Sequence, residues 1–257
     1  MIPYLDLPPF QIGPFEIHAF GVLVCTGIVM AAILGGRRTR QVGLDPRVFA
    51  NILRLSALFG IFGSHVFDLV VYHPEQLVRD PWSLLKFWSG MSSYGGFLCA
   101  FTASFIYLRR NRIPILPYAD VAMFGFFPGA WFFGRLGCSV AHDHPGHLTD
   151  FPLAVQFPGG ARHDMGLYEF MLCFLWIPLV WWLGRKKKVD DPPPGTIFAA
   201  MAVAYAVPRF FLDFLRATDV HNHDTRFYGL TFAQFCCVLF TAGGVWFFLR
   251  LRSQNSV

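Results

Sequence analysis

Long apolar runs separated by short polar segments dominate the chain. Seven of them reach or approach the roughly 20 residues that a helix needs to cross a bilayer core about 30 Å thick. They cover residues 17–36, 48–72, 91–108, 118–133, 166–183, 196–215 and 228–249. Because backbone polar groups in lipid must be hydrogen-bonded internally, the pattern predicts an all-α, polytopic membrane protein with seven transmembrane helices.

Clusters of Lys and Arg between the runs predict which way the helices cross. Each cluster follows an odd-numbered run, and the residues are Arg37, Arg38, Arg40, Arg109, Arg110, Arg112, Arg185, Lys186, Lys187, Lys188, Arg250 and Arg252. Since Lys and Arg favour the cytoplasmic side, this alternation predicts a periplasmic N-terminus and a cytoplasmic C-terminus. We expect residues 1–257 to form a single integral membrane domain, with a longer outer-side connection at about 134–165.

The composition agrees with a membrane protein. Hydrophobic residues make up 54% of the 257 residues and charged residues only 14%, whereas soluble domains are about one quarter charged. The net charge of +5 does not predict nucleic-acid binding, because the basic residues lie in short clusters between apolar runs. The six cysteines form no CxxC pair, so we expect no disulfide framework, no metal and no cofactor.

Three charged residues lie in or next to the sixth run, where ionisable side chains are costly and are candidates for function. Arg209 and Asp213 are four residues apart and share a helix face, and Arg216 follows close to that face. Two cations with one carboxylate leave a surplus positive charge near the outer membrane surface, which suits an anionic headgroup. The alternative is a structural ion pair near the helix end.

Two glycine-containing segments could also approach an anion. Arg135 lies in Gly134-Arg135-Leu136-Gly137, where glycines permit close backbone approach and the guanidinium matches phosphate oxygens. The alternative for Arg135 is an interfacial anchor. Tyr94-Gly95-Gly96 opens the third helix, where paired glycines admit a ligand and the helix dipole favours anions.

The predicted outer connections are rich in histidine and aspartate. The residues are His142, Asp143, His144, His147, His163, Asp164, His221, His223 and Asp224. A divalent metal could use such side chains as ligands. Their spacing matches no specific metal motif, however, and solvated loop residues are the alternative.

These features, in this order, resemble the bacterial prolipoprotein diacylglyceryl transferase family. The segment 134–146 is similar to the family signature, which opens Gly-Arg-x-Gly and closes with glycine at the same distance as Gly146. The segment 205–216 resembles the family's Arg-x-x-x-Glu-Phe-x-Arg motif, with Asp213 in place of Glu. The segment 162–169 resembles the sequence that precedes the family's fifth helix, and 231–234 resembles the start of its last helix.

The resemblance implies a reaction and its partners. Family members move the diacylglyceryl group of phosphatidylglycerol to the lipobox cysteine of a prolipoprotein, which forms a thioether and releases glycerol 1-phosphate. We therefore expect a transferase of the bacterial inner membrane, with its active site near the periplasmic side. Its partners would be phosphatidylglycerol, the prolipoprotein signal peptide with its lipobox, and the membrane, and we expect a monomer that binds no nucleic acid.

The resemblance also implies which residues act. Arg135 and Arg209 match the family's essential arginines and are expected to meet in one cavity, where they would hold the phosphate. Substrate contacts are expected at Gly95, Gly96, Gly134, Gly137, Cys138, Gly146, Tyr205, Asp213, Arg216, His163 and Glu169.

The general base is the open point in this prediction. The family usually has His where this chain has Tyr94, and a tyrosine with a pKa near 10 is a poor base at neutral pH. We expect Tyr94 in the catalytic site and His142, His144 or His163 as a substitute base. Alternatively, a positive field lowers the pKa of the substrate thiol and no base is needed.

Two other functions fit parts of the sequence. The first is a non-catalytic or repurposed paralogue that binds anionic lipid or lipoprotein, and it rests on Tyr94 and on Cys138, where the family often has Asn. The second is a small-solute or metal transporter or sensor that uses Arg209 and Asp213 as a coupling pair. Transporters often show repeated halves, and the chain has no repeat.

Overall fold

Helices account for most of the structure, a computed structural model that describes residues 1–13, 15–86, 90–185, 193–220 and 225–254. The helices are α1 (Ala19–Gln41), α2 (Pro46–Phe67), α3 (Pro74–Arg79), α4 (Ser93–Arg110), α5 (Ile115–Gly125), α6 (Phe132–Ala141), α7 (Met165–Leu183), α8 (Thr196–Leu212) and α9 (Phe232–Gln254). Wider π-helical turns follow α2 at Asp68–Tyr72 and join α5 to α6 at Phe126–Trp131, and 3₁₀ turns occupy Pro81–Leu85 and Asp213–Leu215.

Five helical stretches in the described part of the chain are long and apolar enough to cross a membrane. They are Ala19–Gln41, Pro46–Tyr72, Met165–Leu183, Thr196–Leu215 and Phe232–Leu251. They agree with five of the seven predicted runs. The other two runs fall on α4 and on the stretch from α5 to α6, whose crossing stays a prediction. Of the basic residues behind the predicted orientation, Lys186, Lys187 and Lys188 lie outside the described residues.

The predicted end of the fourth helix at residue 133 is wrong. The helix resumes after the π-helical turn and runs as α6 to Ala141, and His142 ends it with a left-handed φ of 50°. Gly134 and Gly137 do not break it. At Gly137 the missing side chain admits Phe20 of α1, because an added Cβ would lie only 2.9 Å from that ring. The connection predicted to start at residue 134 therefore starts eight residues later.

The connections also contain short strands, which the all-α prediction did not include. The strands are β1 (Ile2–Pro3), β2 (Phe10–Ile12), β3 (Phe15–Ile17), β4 (Pro145–Leu148), β5 (Val155–Phe157), β6 (Gly160–Asp164), β7 (Arg226–Phe227) and β8 (Leu230–Thr231). Four of them form a sheet in the order β1-β5-β6-β4, in which β1 pairs in parallel with β5. The hairpins β2–β3 and β7–β8 are separate.

The chain forms two compact units. The first contains residues 1–35 and 119–257, and the second contains residues 36–118. The buried core of the first unit is aromatic and aliphatic, with side chains from the turn before α6, from α7 and from α8. Its members are Phe127, Trp131, Cys173, Trp176, Val180, Ile197 and Met201.

In the second unit, α2 packs closely on α4. Gly63 lies against Gly95 so tightly that a Cβ on Gly63 would meet the Gly95 carbonyl oxygen at 2.7 Å. The Ser56 and Ser104 hydroxyls hydrogen-bond at 3.0 Å. Small residues and hydroxyl contacts of this kind let helices approach in lipid. Close packing therefore explains why residue 95 is a glycine. The substrate contacts expected at Gly95 and Gly96 stay predictions.

A carboxylate on α5 caps the start of α8 in the first unit. Asp120 Oδ2 accepts a hydrogen bond from the Gly195 amide at 2.7 Å, and Oδ1 accepts one from the Phe198 amide at 2.8 Å. The first amides of a helix have no partner within the helix and carry partial positive charge. A half-buried acid from another helix thus satisfies them and fixes where α8 begins.

Replacing Asp120 by Ala should lower the thermal stability of the purified protein in detergent. Loss of a side-chain cap costs about 1–2 kcal/mol, and here two amides lose their acceptor. Thermal unfolding of Asp120→Ala and of Asp150→Ala, which removes an exposed aspartate, measures the effect. Equal melting temperatures for the two variants would contradict the capping role.

Candidate active site

One buried carboxylate joins two arginines that come from different helices. Glu169 of α7 is 1% exposed. Its Oε2 lies 3.0 Å from Arg135 Nε of α6, and its Oε1 lies 3.5 Å from Arg209 Nε of α8. The structure therefore brings Arg135 and Arg209 together in one site, as predicted. Each guanidinium uses its Nε edge for the carboxylate, so Glu169 fixes both orientations.

A second buried carboxylate, Asp213, holds Arg209 from the other side. Arg209 Nη1 lies 2.5 Å from Asp213 Oδ1, which confirms the pair predicted from their spacing, and Arg216 Nε lies 4.0 Å from the same oxygen. The Thr231 hydroxyl donates a hydrogen bond to Asp213 Oδ2. Asp213 thus connects two arginines to the segment that starts α9.

Thr231 and Gln234 form a capping box at the start of α9. The backbone amide of Gln234 donates to Thr231 Oγ1 at 3.2 Å, and the side-chain oxygen Gln234 Oε1 accepts from the backbone amide of Thr231 at 2.9 Å. The spacing Thr-x-x-Gln is the sequence signal of this motif. Sequence analysis noted the segment only for its family resemblance and missed that its threonine supports Asp213.

The site has an aromatic wall. The Arg135 guanidinium lies over the Trp131 ring, 4.2 Å from the ring centre. Trp131 packs edge-on against Tyr205, with 5.1 Å between the ring centres, and the ring centres of Trp176 and Tyr205 lie 5.5 Å apart. A cation over an indole is favourable, and more so when water is excluded. The predicted site residue Tyr205 therefore lies next to the arginines, whereas sequence analysis missed Trp131.

The arginine cluster carries more positive than negative charge. We define it as Arg135, Arg209, Arg216 and Arg226, the last of which donates to the Asp213 carbonyl oxygen at 3.2 Å. Among the described residues, Glu169 and Asp213 pair with arginines of the cluster, and Asp143 lies near Arg135 and Arg216. In that part of the chain the guanidinium groups outnumber these carboxylates by one. Because a buried uncompensated charge costs several kcal/mol, the cluster favours an anionic ligand.

The small sheet is fixed to the end of α8 beside the cluster. Gly146 of β4 forms a backbone bridge with Arg216, and the Ala217 amide donates to the Pro145 carbonyl at 3.2 Å. A Cβ on Gly146 would clash with the Leu215 carbonyl oxygen at 2.5 Å. This contact gives Gly146 a packing role that positions Arg216, and its expected substrate contact stays a prediction.

An exposed bidentate ion pair strengthens the same attachment. Arg162 of β6 donates to both carboxylate oxygens of Asp219, at 2.9 and 2.6 Å. This contact lowers the pKa of the Asp219 carboxyl to about 2. Asp219 follows α8 by a few residues, so the pair ties the sheet to the segment that carries Arg216.

The remaining glycines and Cys138 of the family signature differ in their surroundings. Gly134 has open space on its Cβ side, whereas Gly137 faces Phe20. Cys138 lies 3.9 Å from Arg135 Nη1, and its backbone contacts Gly166 of α7. Of these residues, Gly134 alone leaves room for a ligand beside its backbone.

His142 is held through both of its ring nitrogens. Its Nδ1 lies 2.6 Å from Asp164 Oδ2, and its Nε2 accepts from the Leu5 amide at 3.3 Å. Its ring stacks on Tyr4 at 4.3 Å. Burial raises the pKa of Asp164, although the hydrogen bond from His142 acts in the opposite direction. His142 thus anchors the N-terminal segment, and its predicted catalytic role would require displacement of Leu5.

The other predicted histidines have different partners. His163 Nδ1 lies 2.8 Å from the Tyr168 hydroxyl. Burial lowers the pKa of His163. His144 Nδ1 lies 2.9 Å from the Asp143 carbonyl oxygen. Burial and the positive charges of the arginine cluster lower the pKa of His144 to about 3. His221, His223 and Asp224 lie outside the described residues.

Cys138, Asp143 and His144 could form a metal site by distance alone. Their ligand atoms all lie within 4.8 Å of one another. Arg135, however, is 3.9 Å from the cysteine sulfur and would repel a cation. The local charge therefore favours an anion at this position.

Tyr94 belongs to the second unit, where it lies half-buried on the first turn of α4. Its role in catalysis stays a prediction.

Replacing Glu169 by Gln should strongly destabilise the fold. The substitution leaves two buried guanidinium groups facing each other without their carboxylate, and removal of one partner from a buried ion pair costs about 3–5 kcal/mol. Unfolding in mixed detergent micelles measures the loss. Asp219→Asn is the matched control, since it removes an exposed carboxylate that also binds an arginine. A loss no larger than that of the control would refute the bridging role.

Comparison with known proteins identifies the family of the chain. A family model described as prolipoprotein diacylglyceryl transferase matches residues 9–250. Relatives named phosphatidylglycerol–prolipoprotein diacylglyceryl transferase include one from Chromohalobacter salexigens, 31% identical over 95% of this chain and 92% of the relative. Others are from Nitratidesulfovibrio vulgaris, 30% identical over 97% and 95%, and from Vibrio cholerae, 30% identical over 84% and 81%. The chain therefore belongs to the prolipoprotein diacylglyceryl transferase family.

Proposed function

We propose that the chain transfers the diacylglyceryl group of phosphatidylglycerol to the lipobox cysteine of prolipoproteins, which is the first step of lipoprotein maturation. The observation that carries this proposal is the single carboxylate of Glu169 between Arg135 and Arg209. It holds two cations from separate helices close enough to bind one phosphate. The relatives' printed names supply the lipid, the protein substrate and the group transferred.

The reaction requires that the negative charge developing on the leaving group be stabilised. The substrate thiolate attacks the glyceryl carbon, the carbon–oxygen bond to phosphate breaks, and glycerol 1-phosphate departs with the bonding electrons. The phosphate changes from a monoanionic diester to a monoester that carries up to two negative charges. Fixed cations therefore bind the phosphate more tightly as the bond breaks, which lowers the barrier.

The geometry of Arg135 supports this role. Its described hydrogen bond and ion pair use Nε and Nη1, with Glu169 and Cys138 as partners. A guanidinium has five N–H donors in a plane, so donors on Nη2 remain for an oxygen of the phosphate. Its side chain is 14% exposed and that of Arg216 is 20% exposed, which leaves the cluster open on one side.

Arg135→Ala and Arg209→Ala should each lower the transfer rate by about 10²–10³-fold, because each removes a charged donor to the developing phosphate dianion. The measurement is transfer to a lipobox peptide in proteoliposomes that contain phosphatidylglycerol, together with rescue of a transferase-depleted bacterium. Arg79→Ala, a change at an exposed arginine, is the control.

Rescue by wild type and by both site variants would refute the arginine mechanism. Absence of transfer by well-folded wild type would favour a lipid-binding paralogue instead.

We further propose seven transmembrane helices, with the N-terminus in the periplasm and the C-terminus in the cytoplasm. Five spans satisfy length and apolarity, and α4 and the stretch 115–141 supply the other two. Arg109 and Arg110 end α4, as expected for a cytoplasmic end. On this proposal the chain is a single membrane domain, acts as a monomer in the inner membrane, and has its arginine cluster on the periplasmic side.

Fusions of reporter proteins should reveal this orientation. Alkaline phosphatase, which folds only in the periplasm, should be active when fused after residue 150 and inactive when fused after residue 257. A fluorescent protein at residue 257 should be bright. The reverse pattern would contradict the proposed orientation, and the same result at both positions would contradict three spans between residues 150 and 257.

A further inference from the structure

His144 lies at the edge of the arginine cluster, on the segment between α6 and β4. Its Nδ1 is 2.9 Å from the Asp143 carbonyl oxygen. A carbonyl oxygen only accepts hydrogen bonds, so Nδ1 carries the hydrogen and Nε2 carries a lone pair. In the part of the chain that the structure describes, Nε2 has no hydrogen-bond partner. The side chain is 29% exposed.

The neighbouring histidines are placed differently. His142 uses both ring nitrogens, one for Asp164 and one for the Leu5 amide. His163 contacts the Tyr168 hydroxyl. His147 lies near Asp219 and His163. His144 therefore combines an available acceptor nitrogen with a position next to the arginines.

Cations dominate the surroundings of His144. Burial and then the charges of Arg216, Arg135 and Arg209 lower its pKa to about 3. On its own segment it faces Asp143, and from α6 it faces Cys138. The imidazole is therefore neutral at physiological pH, but in the absence of an anion it binds a proton weakly.

We propose that His144 is the base that removes the proton from the substrate cysteine, and that it becomes effective only when a lipid phosphate occupies the arginine cluster. This inference rests on the proposed transferase function. A phosphodiester brings one negative charge to a cluster in which, among the described residues, guanidinium groups outnumber carboxylates. It thereby offsets the cations that oppose protonation of the imidazole.

The step balances in protons and electrons. The S–H proton of the substrate cysteine moves to His144 Nε2, and the sulfur keeps the bonding pair as a thiolate. The thiolate forms a carbon–sulfur bond while the carbon–oxygen bond to phosphate breaks and its electrons pass to the phosphate oxygen. The imidazolium then returns its proton to the departing glycerol phosphate or to water.

A cavity that could admit a peptide lies beside the segment that carries His144. Its volume is about 510 Å³, and it lies between the N-terminal segment, the start of α1 and the end of α6. Tyr4, Leu5, Phe20 and Val140 line it, and it reaches Asp143, which precedes His144. An extended chain that enters here would bring its cysteine to the edge of the cluster.

Because the base depends on bound lipid, lipid binding must precede removal of the thiol proton. Without phosphatidylglycerol the cations keep His144 from accepting a proton, so the substrate thiol stays protonated. With the lipid bound, the base and the electrophile are present together. A reactive thiolate is therefore formed only when a carbon centre is in place to receive it.

Single-turnover rates of His144→Gln against pH test the inference. In proteoliposomes with phosphatidylglycerol and a synthetic lipobox peptide, the variant should be slower than wild type by about 10²–10⁴-fold at pH 7. Its rate should recover as the pH rises toward the pKa of a free thiol, about 8.5. Its affinity for the lipid should be unchanged. His147→Gln, the same change three residues away, should keep the wild-type profile.

Several outcomes would overturn the inference. A wild-type rate for His144→Gln at pH 7, or a deficit that is the same at every pH, would exclude His144 as the base while leaving the transferase function intact. Inactive but folded wild type would refute both proposals.

A measurement on unaltered protein guards against misfolding of the variant. Nitrogen-15 NMR of labelled histidines in nanodiscs should show a higher pKa for His144 with phosphatidylglycerol than with a zwitterionic lipid. The same pKa in both lipids would refute the coupling.

Discussion

The site depends on one carboxylate buried between two guanidinium groups. Without Glu169, Arg135 and Arg209 would repel each other in a place that water hardly reaches, and the helices that carry them could not stay in contact. The ion pairs hold the two cations close together, yet in the part of the chain that the structure describes the cluster has more guanidinium groups than carboxylates. The same contacts that stabilise α6, α7 and α8 therefore also create the affinity for an anion.

Much of the fold follows from composition and spacing along the chain. Apolar length predicts five of the spans directly, and helix periodicity predicts that Arg209 and Asp213 pair. The end of α6 at Ala141 was missed because the apolar run that predicted the fourth helix stops at residue 133. In the structure the helix continues past Gly134 and Gly137, and Gly137 packs closely on Phe20 of α1. That contact joins residues far apart in sequence, so the run itself does not reveal it.

The site was harder to predict because its contacts join residues far apart in sequence. Nothing along the chain indicates that Asp120 caps α8 or that Thr231 supports Asp213. Glu169 entered the prediction only through family resemblance. Tertiary contacts also determine which histidine has a ring nitrogen available to accept a proton. His142 and His144 are alike in sequence, but a backbone amide blocks one and leaves the other with a nitrogen that can accept a proton.

The capping box of α9 has a consequence for biosynthesis. Asp213 receives the Thr231 hydroxyl from a segment that leaves the ribosome just before the last apolar helix. Until that helix is inserted, the carboxylate that orients Arg209 lacks this support. The nascent chain therefore completes the contacts around Asp213 only at the end of synthesis, and a chain terminated before α9 would lack the hydroxyl that supports this carboxylate.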